Sequence, residues 1–82
     1  MKVEVLGDGC ARCDKLTHNV SHALRMMGRP EEVIRINDPT EIVERGVWKT
    51  PALVVDGRVE LMDAAPNPGD IIVLLSGIQA SA

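Results

Sequence analysis

Polar and apolar residues alternate over residues 2–6, KVEVL, a period of two that predicts a strand, and GDG at 7–9 ends it. From Cys10 to Met27 the period changes. Cys13, Leu16, Val20, Ala23, Leu24 and Met27 recur three and four apart and form one stripe of a helix. Gly28 and Pro30 stop that helix, and Arg25 in its last turn complements the helix dipole. EVIRI at 32–36 alternates again and predicts a second strand. In NDPTE, Asp38 suits an N-cap, Pro39 the first helical position, and Glu41 the return half of a capping box. A short helix should therefore run through about Arg45 and end at Gly46. ALVV, then DG, then RVELM is a hairpin signal, because Asp-Gly suits the type I′ turn that matches strand twist. The tail has two readings. Asn67 can cap a helix with Pro68 at its first position, whereas IIVLL at 71–75 equally fits a buried strand, and an unbroken apolar run has no period to decide between them. There is no internal repeat, linker or low-complexity segment.

At 82 residues the chain is expected to be one domain over 1–82, of a size that buries only about 60–65% of its unfolded surface. Hydrophobic residues make up 45% and charged residues 26%, which implies a packed globule. With no Phe or Tyr, the core must be built from Val, Ile, Leu and Met, and Trp48 is the one large aromatic side chain. Net charge is −3 and the nine Lys and Arg residues are dispersed, so the basic patch that nucleic acid requires is missing. No secretory leader pattern opens MKVEVL, and no run of about 18 apolar residues could cross a bilayer. The expectation is a cytoplasmic protein with no membrane partner. In that compartment two cysteines point to catalysis or metal binding over a permanent structural bridge.

Those cysteines stand three apart, Cys10 and Cys13, where the Gly-rich turn meets the first helix. At that spacing their Cβ atoms lie about 5–6 Å apart, and a disulfide needs Cα atoms about 4.4–6.8 Å apart. The pair can close and open with little backbone movement. Cys10 sits where the helix leaves its amide N–H groups unpaired, which together with the dipole favours a thiolate. Arg12 and Lys15 add positive charge, partly offset by Asp8 and Asp14. Cys10 is thus expected to be the more acidic and more exposed sulfur, and Cys13, on the apolar stripe, the more buried one. That asymmetry suits a nucleophile and a resolving thiol in disulfide exchange. Two rivals stand beside this reading: ordinary core cysteines, and a metal site. His18 and His22 are one helical turn apart, but at about 100° per residue both point nearly opposite the stripe that holds Cys13. They read as solvated, and a closed four-ligand site is not expected.

With these elements in place the chain resembles the small thioredoxin-like, glutaredoxin-like redox-active disulfide proteins. The likeness rests on MKVEVLGDGCARCDKL and GVWKTPALVVDGRV, spans residues 1–62, and fades over the last twenty. CxxC after the first strand combined with Thr50-Pro51 before the third is its most specific part. The resemblance implies an α/β thioredoxin-like fold, a four-stranded mixed sheet with helices on both faces in the order βαβαββα, and a cis peptide bond before Pro51 facing the cysteines. A cis X-Pro bond costs only about 0.5–1 kcal/mol over trans. The alternative for Pro51 is a proline that simply starts a strand. It also implies that the Thr50 backbone pairs with an incoming extended peptide, so that Thr50, Pro51, Trp48 and Arg12 form the substrate-binding set. A packing role is the alternative for Trp48.

Glu4 lies six residues before Cys10, where thioredoxins carry a buried acid that moves protons to and from the second cysteine; burial would raise its pKa. The competing reading is an ordinary charge near a strand end. The function implied is a thiol–disulfide oxidoreductase that reduces or exchanges protein disulfides through Cys10 and Cys13, fed by an unidentified electron donor and needing no cofactor or metal. The alternative is a soft-metal binder or chaperone using the same CxxC. Should the tail be helical, its apolar residues would point all round, and the side turned from the sheet could serve as a homodimer surface.

Overall fold

The computed structural model describes residues 1–78. Its elements run β1 (Val3–Leu6), α1 (Ala11–Met26), β2 (Val33–Ile36), α2 (Pro39–Glu44), β3 (Ala52–Val55), β4 (Arg58–Met62) and α3 (Pro68–Ile78). The sheet order is β2-β1-β3-β4. β1 pairs parallel with β2 and antiparallel with β3, and β3 and β4 form the antiparallel hairpin. Both central turn residues of that hairpin, Asp56 and Gly57, have positive φ, as a type I′ turn demands.

The two central strands are buried along their whole length, because each face of the sheet is covered. Val3 and Val5 pack with Leu53 and Val55 of β3 beneath α1 and α3, joining Leu16, Val20, Leu24, Ile71 and Leu75. Leu6 packs on the opposite face with Ala52 and Val54, under Ile42 of α2 and Val47. Side chains alternate along a strand, so Glu4 falls on this second face with Leu6.

The stripe expected on α1 is the one buried, with one addition: Asn19 also lies in it and donates from Nδ2 to the Pro66 carbonyl at 3.0 Å, fixing the approach to α3. In α2 the Asp38 carboxylate accepts from the Thr40 N–H at 3.0 Å. The return half of the capping box does not form, since the Glu41 carboxylate instead takes the Arg45 guanidinium one turn on, at 3.2 Å.

Tertiary packing settles the tail as a helix. The Asn67 side chain accepts from the Asp70 N–H at 2.9 Å, and Ile71 and Leu75 fill the core beside α1 while Ile72, Leu74 and Ile78 flank it. Of the IIVLL run only Val73 is left in solvent, at 73% exposure. The all-round apolar surface expected of this helix is largely covered by the chain itself. Among the described residues no helix is long and apolar enough to cross a membrane.

Candidate active site

β1 delivers the chain to Gly7, whose N–H donates to the Ile36 carbonyl at 2.9 Å and so keeps the strand in the sheet to its last residue. Asp8 and Gly9 turn the backbone, Gly9 at φ +61°, and Cys10 follows as the N-cap of α1 with extended φ and ψ. Cys10 and Cys13 are disulfide-bonded, with Cα atoms 5.1 Å apart. Cys10 Sγ accepts a hydrogen bond from the Cys13 N–H at 3.1 Å. The first sulfur therefore occupies the place an N-cap oxygen usually takes, aimed at an unpaired amide of the first turn. Cys10 is half-buried and Cys13 fully buried, the asymmetry expected from the helical stripe.

Gly7 belongs to this site for a steric reason. A Cβ built there would collide with Cys13 Sγ, and would lie 3.8 Å from the Thr50 Cβ. Cys13 Sγ and the Thr50 side chain thus both border the space over Gly7. The Thr50–Pro51 peptide bond is cis and Pro51 is buried, just ahead of β3.

Trp48 does not serve the core. It is 78% exposed and forms one wall of an open, mostly apolar groove of about 580 Å³ that also takes in Asp8, Pro39, Val43 and Thr50. The groove runs from the dithiol turn along α2.

Arg12 is engaged by Asp63, just beyond β4. Its Nη1 donates to Asp63 Oδ1 at 3.2 Å and its Nη2 to the Asp63 carbonyl at 2.9 Å. On the β2 side Arg35 donates to Asp14 Oδ1 at 2.9 Å and to the Gly7 carbonyl at 3.4 Å. The dithiol turn is held from both edges of the sheet.

Glu4 is buried as the resemblance implies, at 2% exposure, but it differs from expectation in both surroundings and charge. It lies on the α2 face of the sheet, away from α1. Its two oxygens each accept from Arg45 at 2.8 Å, and Lys2 Nζ stands 3.9 Å away. The Arg45 hydrogen bonds hold its pKa below the usual carboxylate range, outweighing burial, which pushes the other way; the same contact raises that of Arg45. A buried acid raised by desolvation is thus not what occupies position 4.

His18 and His22 are exposed on the outer side of α1, with parallel rings 6.4 Å apart. Among the described residues, no three His, Cys, Asp or Glu side chains come together as a metal-binding group. No local pattern marks Asp63 or Arg35, nor the reach of Arg45 to Glu4. The Glu41–Arg45 spacing of four was a visible cue for an ion pair on α2, while the contacts of Asp63 and Arg35 join segments far apart in the chain.

A strand, a CxxC at a helix N-terminus, a second helix on the opposite face and a cis-proline ahead of a hairpin define a thioredoxin-like α/β fold. A solved structure described as that of a malarial protein shares it, with a TM-score of 0.63 at 15% identity over 94% of this chain and 97% of that one. The family model described as Thioredoxin domain matches residues 1–76, and the chain belongs to that family. A thioredoxin of Methanothermobacter thermautotrophicus is 33% identical over 76 residues, 93% of this chain and 99% of that protein. A thioredoxin of Methanocaldococcus jannaschii is 28% identical over 69 residues, 84% of this chain and 79% of that protein. With its CxxC pair in disulfide contact, the chain is a thiol–disulfide oxidoreductase.

Proposed function

We propose that this oxidoreductase acts on protein disulfides, with Cys10 as the attacking sulfur and Cys13 as the resolving one, in the cytoplasm and at the expense of a separate electron donor. The observation that carries the reading is the unequal placement of the two cysteines: Cys10 is half-buried and receives the Cys13 N–H, while Cys13 is fully buried against Gly7. In the reduced protein the Cys10 thiolate attacks one sulfur of the substrate disulfide, and the other sulfur leaves as a thiolate that takes up a proton. Cys13 then gives up its proton and attacks Cys10 Sγ in the mixed disulfide, releasing the second substrate thiol. Two electrons and two protons pass to the substrate, and the protein is left in the oxidised form described here.

Thr50, which lines both the space over Gly7 and the Trp48 groove, would together with Pro51 receive the substrate chain on that apolar bed. Arg12, bound to Asp63, would contribute to the substrate surface on the β4 side.

The test is a thiol count by alkylation and mass spectrometry after metal-free protein is equilibrated across a series of dithiol redox buffers. A reversible two-electron transition between about −300 and −150 mV, abolished by Cys10→Ser, is expected. Absence of an intramolecular disulfide throughout that range overturns the redox mechanism and would turn attention to soft-metal titration of the reduced protein.

A further inference from the structure

Asp63 stands one residue past β4 with φ +59°, a left-handed conformation that Asp and Asn adopt more readily than other residues with a side chain and that contacts can fix. Three contacts do so. Its N–H donates to the Pro51 carbonyl at 2.9 Å, its own carbonyl accepts from Arg12 Nη2, and its carboxylate accepts from Arg12 Nη1. One residue thus links the CxxC turn to the carbonyl of the cis-proline.

The charges around the dithiol sort themselves in the same way. Asp14 is taken by Arg35 and Arg12 by Asp63, whereas Asp8, Lys15 and Lys49 have no ion-pair partner among the described residues. Arg12 adjoins Cys13 in sequence and is two residues from Cys10. A free guanidinium there would favour the thiolate and so the reduced form, making the couple more oxidising. Held by a carboxylate, it presents a nearly neutral pair. Both side chains are about half exposed, a setting in which an ion pair adds little to stability, so its consequence lies in position and field.

We propose that Asp63 is a positioning residue of the redox site: by holding Arg12 against the end of β4 it ties the dithiol turn to Pro51 and keeps the Cys10–Cys13 couple more reducing than the CxxC residues alone would make it. This rests on the redox reading above and extends it to a residue outside the motif.

The test compares the midpoint potential of the wild-type protein with those of Asp63→Asn, Arg12→Gln and the double variant. Asn keeps the Oδ1 acceptor and tolerates positive φ, so the backbone turn survives while the charge is removed. Asp63→Asn should favour the dithiol by about threefold, roughly 14 mV for a two-electron couple. Arg12→Gln should favour the disulfide by a similar factor. The double variant should return close to wild type, Arg12→Lys should stay near it, and the single-variant shifts should shrink as salt is added. A tie that is merely structural moves both single variants in the same direction. That result, or no shift in either, overturns the proposal while the redox reading stands. A wild-type protein that forms no disulfide in these buffers overturns both.

Discussion

Gly7 illustrates how one missing atom conditions the site. The space a Cβ would need is held by Cys13 Sγ, so Gly7→Ala is expected to destabilise the oxidised protein by about 1–3 kcal/mol through overpacking, read as a lower midpoint in urea unfolding. Glu4 is a second residue whose role follows from its contacts. Its pKa is depressed in the folded state by Arg45, so the stabilisation it contributes is present above the unfolded carboxylate pKa and is lost as pH falls through the folded one. Stability should therefore decline on acidification below the ordinary carboxylate range. Glu4→Gln should remove part of that decline and cost about 1–3 kcal/mol at neutral pH, because the Arg45 bonds to an ionised partner are lost. Unfolding curves of both proteins across pH check this; a Glu4→Gln profile parallel to wild type at every pH would count against it. At this scale the sequence marks Cys10, Cys13 and Pro51 by pattern, since turn, helix start and strand start surround them. The partners of Glu4 and Arg12 come from positions 45 and 63, and no spacing rule connects those.

At the scale of elements, the clearest lesson is α3. IIVLL has no helical period, yet Ile71 and Leu75 enter the core and Val73 does not. Leu75→Ala is expected to cost about 2–5 kcal/mol, whereas Val73→Glu should stay within about 0.5 kcal/mol of wild type; thermal or urea unfolding distinguishes them. Sedimentation of the Val73→Glu protein and the wild type also probes the expected homodimer surface, which rests on little exposed apolar area along this helix. β1, β2, the hairpin, α1 and α2 were legible to within a residue or two, because each is bounded by a turn residue or cap whose chemistry is local: Gly9, Gly28, Asp38, Gly46 and the Asp56-Gly57 turn. The capping box on α2 failed for the reason that Arg45 competes for Glu41.

For the whole molecule, function depends on what the sheet brings to one end. The dithiol turn follows β1, the cis-proline precedes β3, and the neighbouring antiparallel pairing of those strands sets them side by side. The groove beside them joins α2 to Trp48. Trp48→Ala should lower kcat/KM on a protein disulfide about tenfold, the effect of some 1.4 kcal/mol of lost contact. Melting temperature should barely move, since the ring is 78% exposed; an unchanged kcat/KM would remove Trp48 from the substrate surface. The sequence by itself determined the element order through Pro51 and the hairpin, the redox pair and the asymmetry of its sulfurs, because periodicity, caps and turns act over a few residues. Only the tertiary structure decided that the tail is a helix, that Glu4 answers to Arg45, and that Asp63 holds Arg12. Those outcomes depend on which surfaces the packed sheet leaves to be covered and which charges it brings within reach, and neither is a property of neighbouring residues.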